Sequence, residues 1–184
     1  MKFLDLAELF NEDQRQAARL VNEAQLEQFA EAIQSSQRIF LLGKGRTGLI
    51  VEMFAMRLVH LGFQAYIIGH STTPKYSPED ILILASGSGT TEGLILTAQQ
   101  AQRVGGKIGL ITRNPAGPLS RYAQSVLVMP DPQLEHGALA KSKILSGTIF
   151  EQALLLTLDC LCILLAERTG QDLNDMSDRH VTIE

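Results

Sequence analysis

A chain of 184 residues suits one domain of ordinary size, able to bury about two-thirds of its unfolded surface. Apolar residues at 45% and charged residues at 20% are the proportions of a globular protein. A net charge of -4, with 5% aromatics and no Trp, excludes a basic nucleic-acid surface and a base-stacking platform.

Residues 2–34 mix Ala, Glu, Gln and Leu, with Leu20, Ala24, Phe29 and Ile33 at roughly helical spacing, so one or two helices are expected there. Arg38 to Leu42 is a short apolar run closed by Gly43, the pattern of a buried strand. A helix over 47–61 stops at Gly62, and a second strand spans 63–68. After a loop with Pro74 and Pro78, Ile81 to Ala85 forms a third strand, and a helix over 90–104 ends at Gly105-Gly106. A fourth strand over 107–112, a helical turn over 118–122 and a fifth strand over 125–129 follow. Residues 130–145 read as irregular and 147–168 as the last long helix. Strands alternating with helices imply an α/β fold with a parallel sheet covered on both faces.

The most apolar stretch, Ile149 to Ala166, is broken by Glu151, Gln152, Thr157 and Asp159, so it reads as a buried helix and no membrane contact is expected. Cys160 and Cys162 stand two apart on that helix and point to different faces. They read as small buried hydrophobes in a reducing compartment. The first residues, Met1 to Asp5, lack a signal peptide's apolar core, so a cytoplasmic protein is expected.

In parallel sheets, ligands sit beyond the carboxyl ends of the strands. That rule selects the loops at 43–48 and 86–92. The first, Gly43-Lys44-Gly45-Arg46-Thr47-Gly48, fits G-x-G-x-x-G. A dinucleotide site also wants an acid ending the second strand, for the ribose hydroxyls. That strand ends Ile68-Gly69-His70, and no Walker Gly-Lys-Ser/Thr is present, so what remains is a glycine loop, a cation and a helix start.

The second loop is Ser86-Gly87-Ser88-Gly89-Thr90-Thr91-Glu92. Its glycines admit a close anion, and the helix N-terminus adds about half a positive charge. A helix cap at Gly89 or Thr90 would account for one hydroxyl. The four at Ser86, Ser88, Thr90 and Thr91 point to phosphate. Ser86 stands where a nucleophile elbow requires Gly, so G-x-S-x-G is not matched.

Proton transfer needs a further group. Glu151 lies early in the most apolar helix, where burial would raise its pKa toward that of a general base. A partly exposed first-turn Glu, favoured by the helix dipole, is the competing reading. Of His60, His70, His136 and His180, the last lies in a polar tail and reads on composition as solvated. No His/Cys/Asp set has metal spacing, so a metal is not expected.

Ser86-Gly87-Ser88-Gly89-Thr90-Thr91 resembles the phosphate loop of the sugar isomerase (SIS) domain family. Three further stretches resemble the 6-phospho-3-hexuloisomerase branch of that family: Gly43 to Gly48, Phe54 to Gly62, and Gly147 to Glu151. So does the closing Arg179-His180-Val181-Thr182-Ile183-Glu184. Lys44 departs from the pattern, where a small residue is expected, and Thr47 replaces Ser. The resemblance implies one flavodoxin-like SIS domain over 1–184, with N-terminal helices 2–34, a core over 37–169 and a tail over 170–184. It implies a three-layer α/β/α sandwich with a five-stranded parallel sheet, often in a tetramer. It also implies isomerisation of D-arabino-hex-3-ulose 6-phosphate to fructose 6-phosphate, without cofactor, in the ribulose monophosphate pathway of formaldehyde fixation. By the same resemblance Ser86, Ser88 and Thr91 hold phosphate with Gly45, Arg46 and Thr47 nearby, Glu151 is the acid/base, and His180 reaches a pocket.

Two other functions fit the same fold: isomerisation of another phosphosugar, and sensing of a sugar phosphate without turnover. The apolar residues on nearly every side of the last helix exceed what one sheet face needs, so a homo-oligomer is expected, with residues 2–34 as that helix's partner.

Overall fold

The computed structural model describes residues 2–130 and 147–172, together with Met176 and Arg179. The irregular stretch expected over 130–145 falls, beyond Pro130, outside the described residues, and so does His180.

The chain begins with two helices, α1 (Phe3–Leu20) and α2 (Glu23–Gln34). They break at Asn22, whose side chain accepts from the Gln25 amide at 3.1 Å and caps α2. The alternating core follows as β1 (Ile39–Leu42), α3 (Gly45–His60), β2 (Ala65–Ile67), β3 (Ile81–Ala85) and α4 (Glu92–Val104). It continues with β4 (Lys107–Thr112), a 3-10 turn over Pro118–Tyr122, β5 (Ser125–Val128) and α5 (Thr148–Thr169). All neighbouring strands pair in parallel, in the order β2-β1-β3-β4-β5. The expected five-stranded parallel sheet is therefore present, in the flavodoxin-like order.

Side-chain alternation divides the core. Ile39, Leu41, Ile81, Ile83, Ile111 and Leu127 face α1, α2, α3 and α5. Phe40, Leu42, Leu82, Leu84 and Leu110 face α4 and the 3-10 turn. These are the two outer layers of an α/β/α sandwich, one thick and one thin. On the thick side Gly109 makes room for Phe29: a β-carbon there would lie 3.0 Å from the Phe29 ring.

Two helix starts differ from expectation. α3 begins at Gly45 rather than 47, because Gly45 takes a φ of 58° and the Gly48 amide closes a turn onto the Lys44 carbonyl at 3.2 Å. α4 begins at Glu92 rather than 90, which leaves Thr90 and Thr91 in the loop.

The all-round apolarity of α5 finds most of its cover inside one chain. Ile149, Phe150, Leu154, Leu158, Leu161 and Leu165 are buried against the sheet, α3 and the N-terminal helices. A helix wedged between two layers needs apolar residues on several sides. α5 is long and apolar enough to cross a membrane, at 22 residues, yet 61% of its most apolar window is buried in the fold. Cys160 on its exposed side and Cys162 on its buried side are both free, and burial pushes the Cys162 thiol up to about 12, out of reach of thiolate chemistry. Leu156 and Ile163 of α5 stay exposed, and further apolar surface lies on α3, where Leu49, Met53, Met56 and Val59 are exposed along one face, and at the start of α1, where Phe3 and Leu4 are exposed.

On α1, Asp13 is 1% exposed, and its carboxylate oxygens have no hydrogen-bond partner among the described residues. Burial, with Glu12 adding to it, pushes the Asp13 carboxyl above the ordinary range. Folding then favours the protonated form. The contribution is intact below the unfolded pKa of about 4 and is lost as pH rises through the folded value. Asp13→Asn is expected to raise the melting temperature at pH 7 by about 2–4 °C, and the gain should vanish toward pH 3. Calorimetry across that range checks this; a gain of equal size at both ends would show that charge is not the cause.

Candidate functional site

Leu42 and Ala85 end adjacent strands, β1 and β3. From β1 the chain crosses to β2 through α3 on the thick face; from β3 it crosses to β4 through α4 on the thin face. This divergence opens a crevice between the two loops that sequence patterning selects, which is the topological switch point. The first loop is tight. A β-carbon on Gly43 would lie 2.9 Å from the Gly48 α-carbon, so only glycine allows the strand-to-helix junction. Neither helix is capped by a side chain: Lys44 makes no cap bond on α3, nor Thr91 on α4. Two positive helix ends are thereby left available at the crevice.

The hydroxyls of the second loop divide by position. Ser86 is 4% exposed; its Oγ accepts from the Gly89 amide at 3.2 Å and shares a bond with Thr91 Oγ1 at 3.0 Å. That pair ties the loop's two ends together. Ser88 is exposed, and its Oγ accepts from the Thr90 amide at 3.2 Å and the Thr90 hydroxyl at 3.0 Å. With both lone pairs engaged, the Ser88 hydrogen is left to point outward as a donor. The segment after β4 braces the loop: Asn114 donates to the Ser88 carbonyl at 2.9 Å, and the Leu119 amide donates to the Gly89 carbonyl at 3.1 Å. Gly89, at a φ of 67°, and Gly117 lie so close that either β-carbon would crowd backbone.

α5 enters the same crevice by its first turn. The Phe150 ring lies 3.3 Å, and Arg113 Nε 3.5 Å, from where a β-carbon on Gly87 would sit. Next to Phe150, Glu151 is 8% exposed, and one carboxylate oxygen accepts from Arg46 Nε at 2.5 Å. Its other oxygen lies 3.5 Å from the β-carbon position of Gly147, whose φ of 88° starts the helix. Glu151 is thus a buried carboxylate paired with Arg46 and not an exposed first-turn residue. The arrangement brings together Gly45, Arg46, Thr47, Ser86, Ser88, Thr91 and Glu151.

Arg113 and Asn114 were missed in the sequence. The signal was available: they directly follow β4, whose carboxyl end lies beside that of β3. Among the described residues no group of three or more His, Cys, Asp or Glu side chains is placed to hold a metal. Arg179 donates to the His60 carbonyl at 3.0 Å and to Gln171 at 2.8 Å. It therefore sits at the C-terminal end of α3, about 20 Å along that helix from Arg46.

The chain belongs to the SIS domain family, whose family model matches residues 32–156. It is an isomerase enzyme. It is 38% identical over 180 residues to the 3-hexulose-6-phosphate isomerase of Bacillus subtilis (strain 168), covering 97% of each chain. It is 34% identical over 177 residues to that of Mycobacterium gastri, covering 96% of this chain and 88% of the relative. Among solved structures it resembles a protein of Methanococcus jannaschii whose structure infers a molecular function of 3-hexulose-6-phosphate isomerase. The TM-score is 0.82 and the identity 29%, over 100% of both chains.

Proposed function

We propose that the protein isomerises D-arabino-hex-3-ulose 6-phosphate to fructose 6-phosphate, with residues 1–184 working as one SIS unit. The observation that carries this reading is the buried Glu151 carboxylate, delivered to the phosphate loop by the contact of Phe150 with Gly87. The loop holds the 6-phosphate, through Ser88, Thr91 and the free end of α4, with Ser86 bracing it. Glu151 takes the proton from C2, giving an enediol across C2 and C3, and returns it to C3, while a proton passes between the two oxygens. One carboxylate serves both carbon steps because the two carbons are neighbours. The fixed phosphate holds them against it.

His180 is proposed for the oxygen proton, acting in the pocket of a neighbouring subunit, since Arg179 anchors the preceding residue at the far end of α3. The exposed apolar face of α3 supports a homo-oligomer, with a tetramer proposed. The enzyme is proposed to be cytoplasmic and to act after formaldehyde is fixed on ribulose 5-phosphate.

Proton–deuterium exchange from D2O into fructose 6-phosphate, followed by NMR, tests turnover and substrate together. Label should enter at C3, and Ser88→Ala should weaken binding about tenfold or more. Binding without exchange would mean that the protein senses a sugar phosphate and does not convert it.

A further inference from the structure

The first loop carries two cations, Lys44 and Arg46, and the structure uses them differently. Arg46 is engaged with Glu151 at 2.5 Å. Its charge is spent on holding the carboxylate. Lys44 is exposed and is the N-cap residue of α3, with an extended backbone at φ -128° and ψ 152°. Its side chain leans away from α3 and across the crevice. Lys44 Cε lies 3.9 Å from where a β-carbon on Gly93 would sit, and Gly93 is the second residue of α4. Gly93 lowers helix propensity against Ala, and it leaves the surface over which the Lys44 stem lies bare.

The ammonium group is therefore held beside the uncapped start of α4, at the loop that carries Ser88 and Thr91. Among the described residues the Lys44 side chain makes no hydrogen bond or ion pair, and Glu92 on the adjoining turn does not engage it. A compact cation with three donors, beside free helix amides and an outward hydroxyl, matches a phosphate monoester, which carries -1.5 to -2 charges at neutral pH.

We propose that Lys44 is the cation that binds the substrate phosphate, and that Arg46 is a positioning residue for Glu151. This rests on the phosphate-loop reading and divides the labour of the first loop. Arg46 need not leave Glu151 when substrate arrives, so the base stays oriented through the turnover. Binding strength and proton transfer then depend on different side chains of one loop.

Calorimetric titration of inorganic phosphate and of fructose 6-phosphate into the intact protein tests the assignment. The variants are Lys44→Gln, Lys44→Arg, Ser88→Ala and, as a control for overall charge, Lys107→Gln. Lys107 lies at the start of β4, where it donates to Ser35 at 3.1 Å, away from the crevice. Lys44→Gln should weaken both ligands about tenfold and flatten the salt dependence of binding. Lys44→Arg should recover most of the affinity, and Lys107→Gln should bind as the parent does. In steady-state kinetics the Lys44→Gln loss should fall on KM, whereas Arg46→Gln should lose kcat. If Lys44→Gln binds both ligands like the parent while Ser88→Ala does not, Lys44 has no part in the site and the phosphate loop stands. If Ser88→Ala also binds like the parent, or the parent binds no phosphate, the loop reading falls and the assignment of Lys44 falls with it.

Discussion

Glu151→Gln is expected to lower kcat by about 10²-fold or more while leaving the affinity for fructose 6-phosphate within a few-fold of the parent. Gln has the size of Glu, and its amide oxygen can still accept from Arg46 Nε. Packing at the start of α5, and the contact of Phe150 with Gly87, should persist. What is removed is the ability to take a proton from carbon and return it. Deuterium exchange should fall in proportion to turnover, because both need the same abstraction. A Gln variant that turns over at near the parent rate would remove Glu151 from the mechanism, whatever its burial.

A chain ending at Met176 is expected to fold and to lose activity. The removal costs the bonds of Arg179 to the His60 carbonyl and to Gln171, each worth about 1 kcal/mol net. It leaves the sheet and both packed faces intact, so circular dichroism should be close to that of the full chain. Light scattering should report the oligomer expected of the parent. The sharper test mixes two inactive chains. Truncated subunits keep Glu151, Glu151→Gln subunits keep His180, and a pocket built from both is complete only if the tail crosses between subunits. Activity regained on unfolding and refolding the mixture supports the shared pocket. A fully active truncation would end the role of His180, and a monomeric parent would end the shared pocket.

Much of the site was readable because its signals are local. Glycines at 43, 45 and 48 and the hydroxyl run from Ser86 to Thr91 each sit where a strand gives way to a helix. Short apolar runs set five strands and their alternation with helices, and chirality and connection length then leave few sheet orders to choose from. Glu151 was conspicuous because a carboxylate in an apolar helix is costly without a partner. Its partner was not readable: Arg46 is 105 residues away, and only the convergence of α3 and α5 on one crevice joins them. The same holds for the bracing of Ser88 by Asn114, 26 residues on, and for the reach of Lys44 over Gly93. Periodicity reports how many sides of α5 are apolar, not what covers them, and most of that cover comes from the sheet, α3 and the N-terminal helices of the same chain. By itself, the sequence determined the strands, the two glycine loops and the carboxylate set in the apolar helix. Tertiary structure alone decided which cation meets that acid, which hydroxyl faces outward and which helix end stays uncapped, because those depend on where helices separated in the chain come to rest on the sheet.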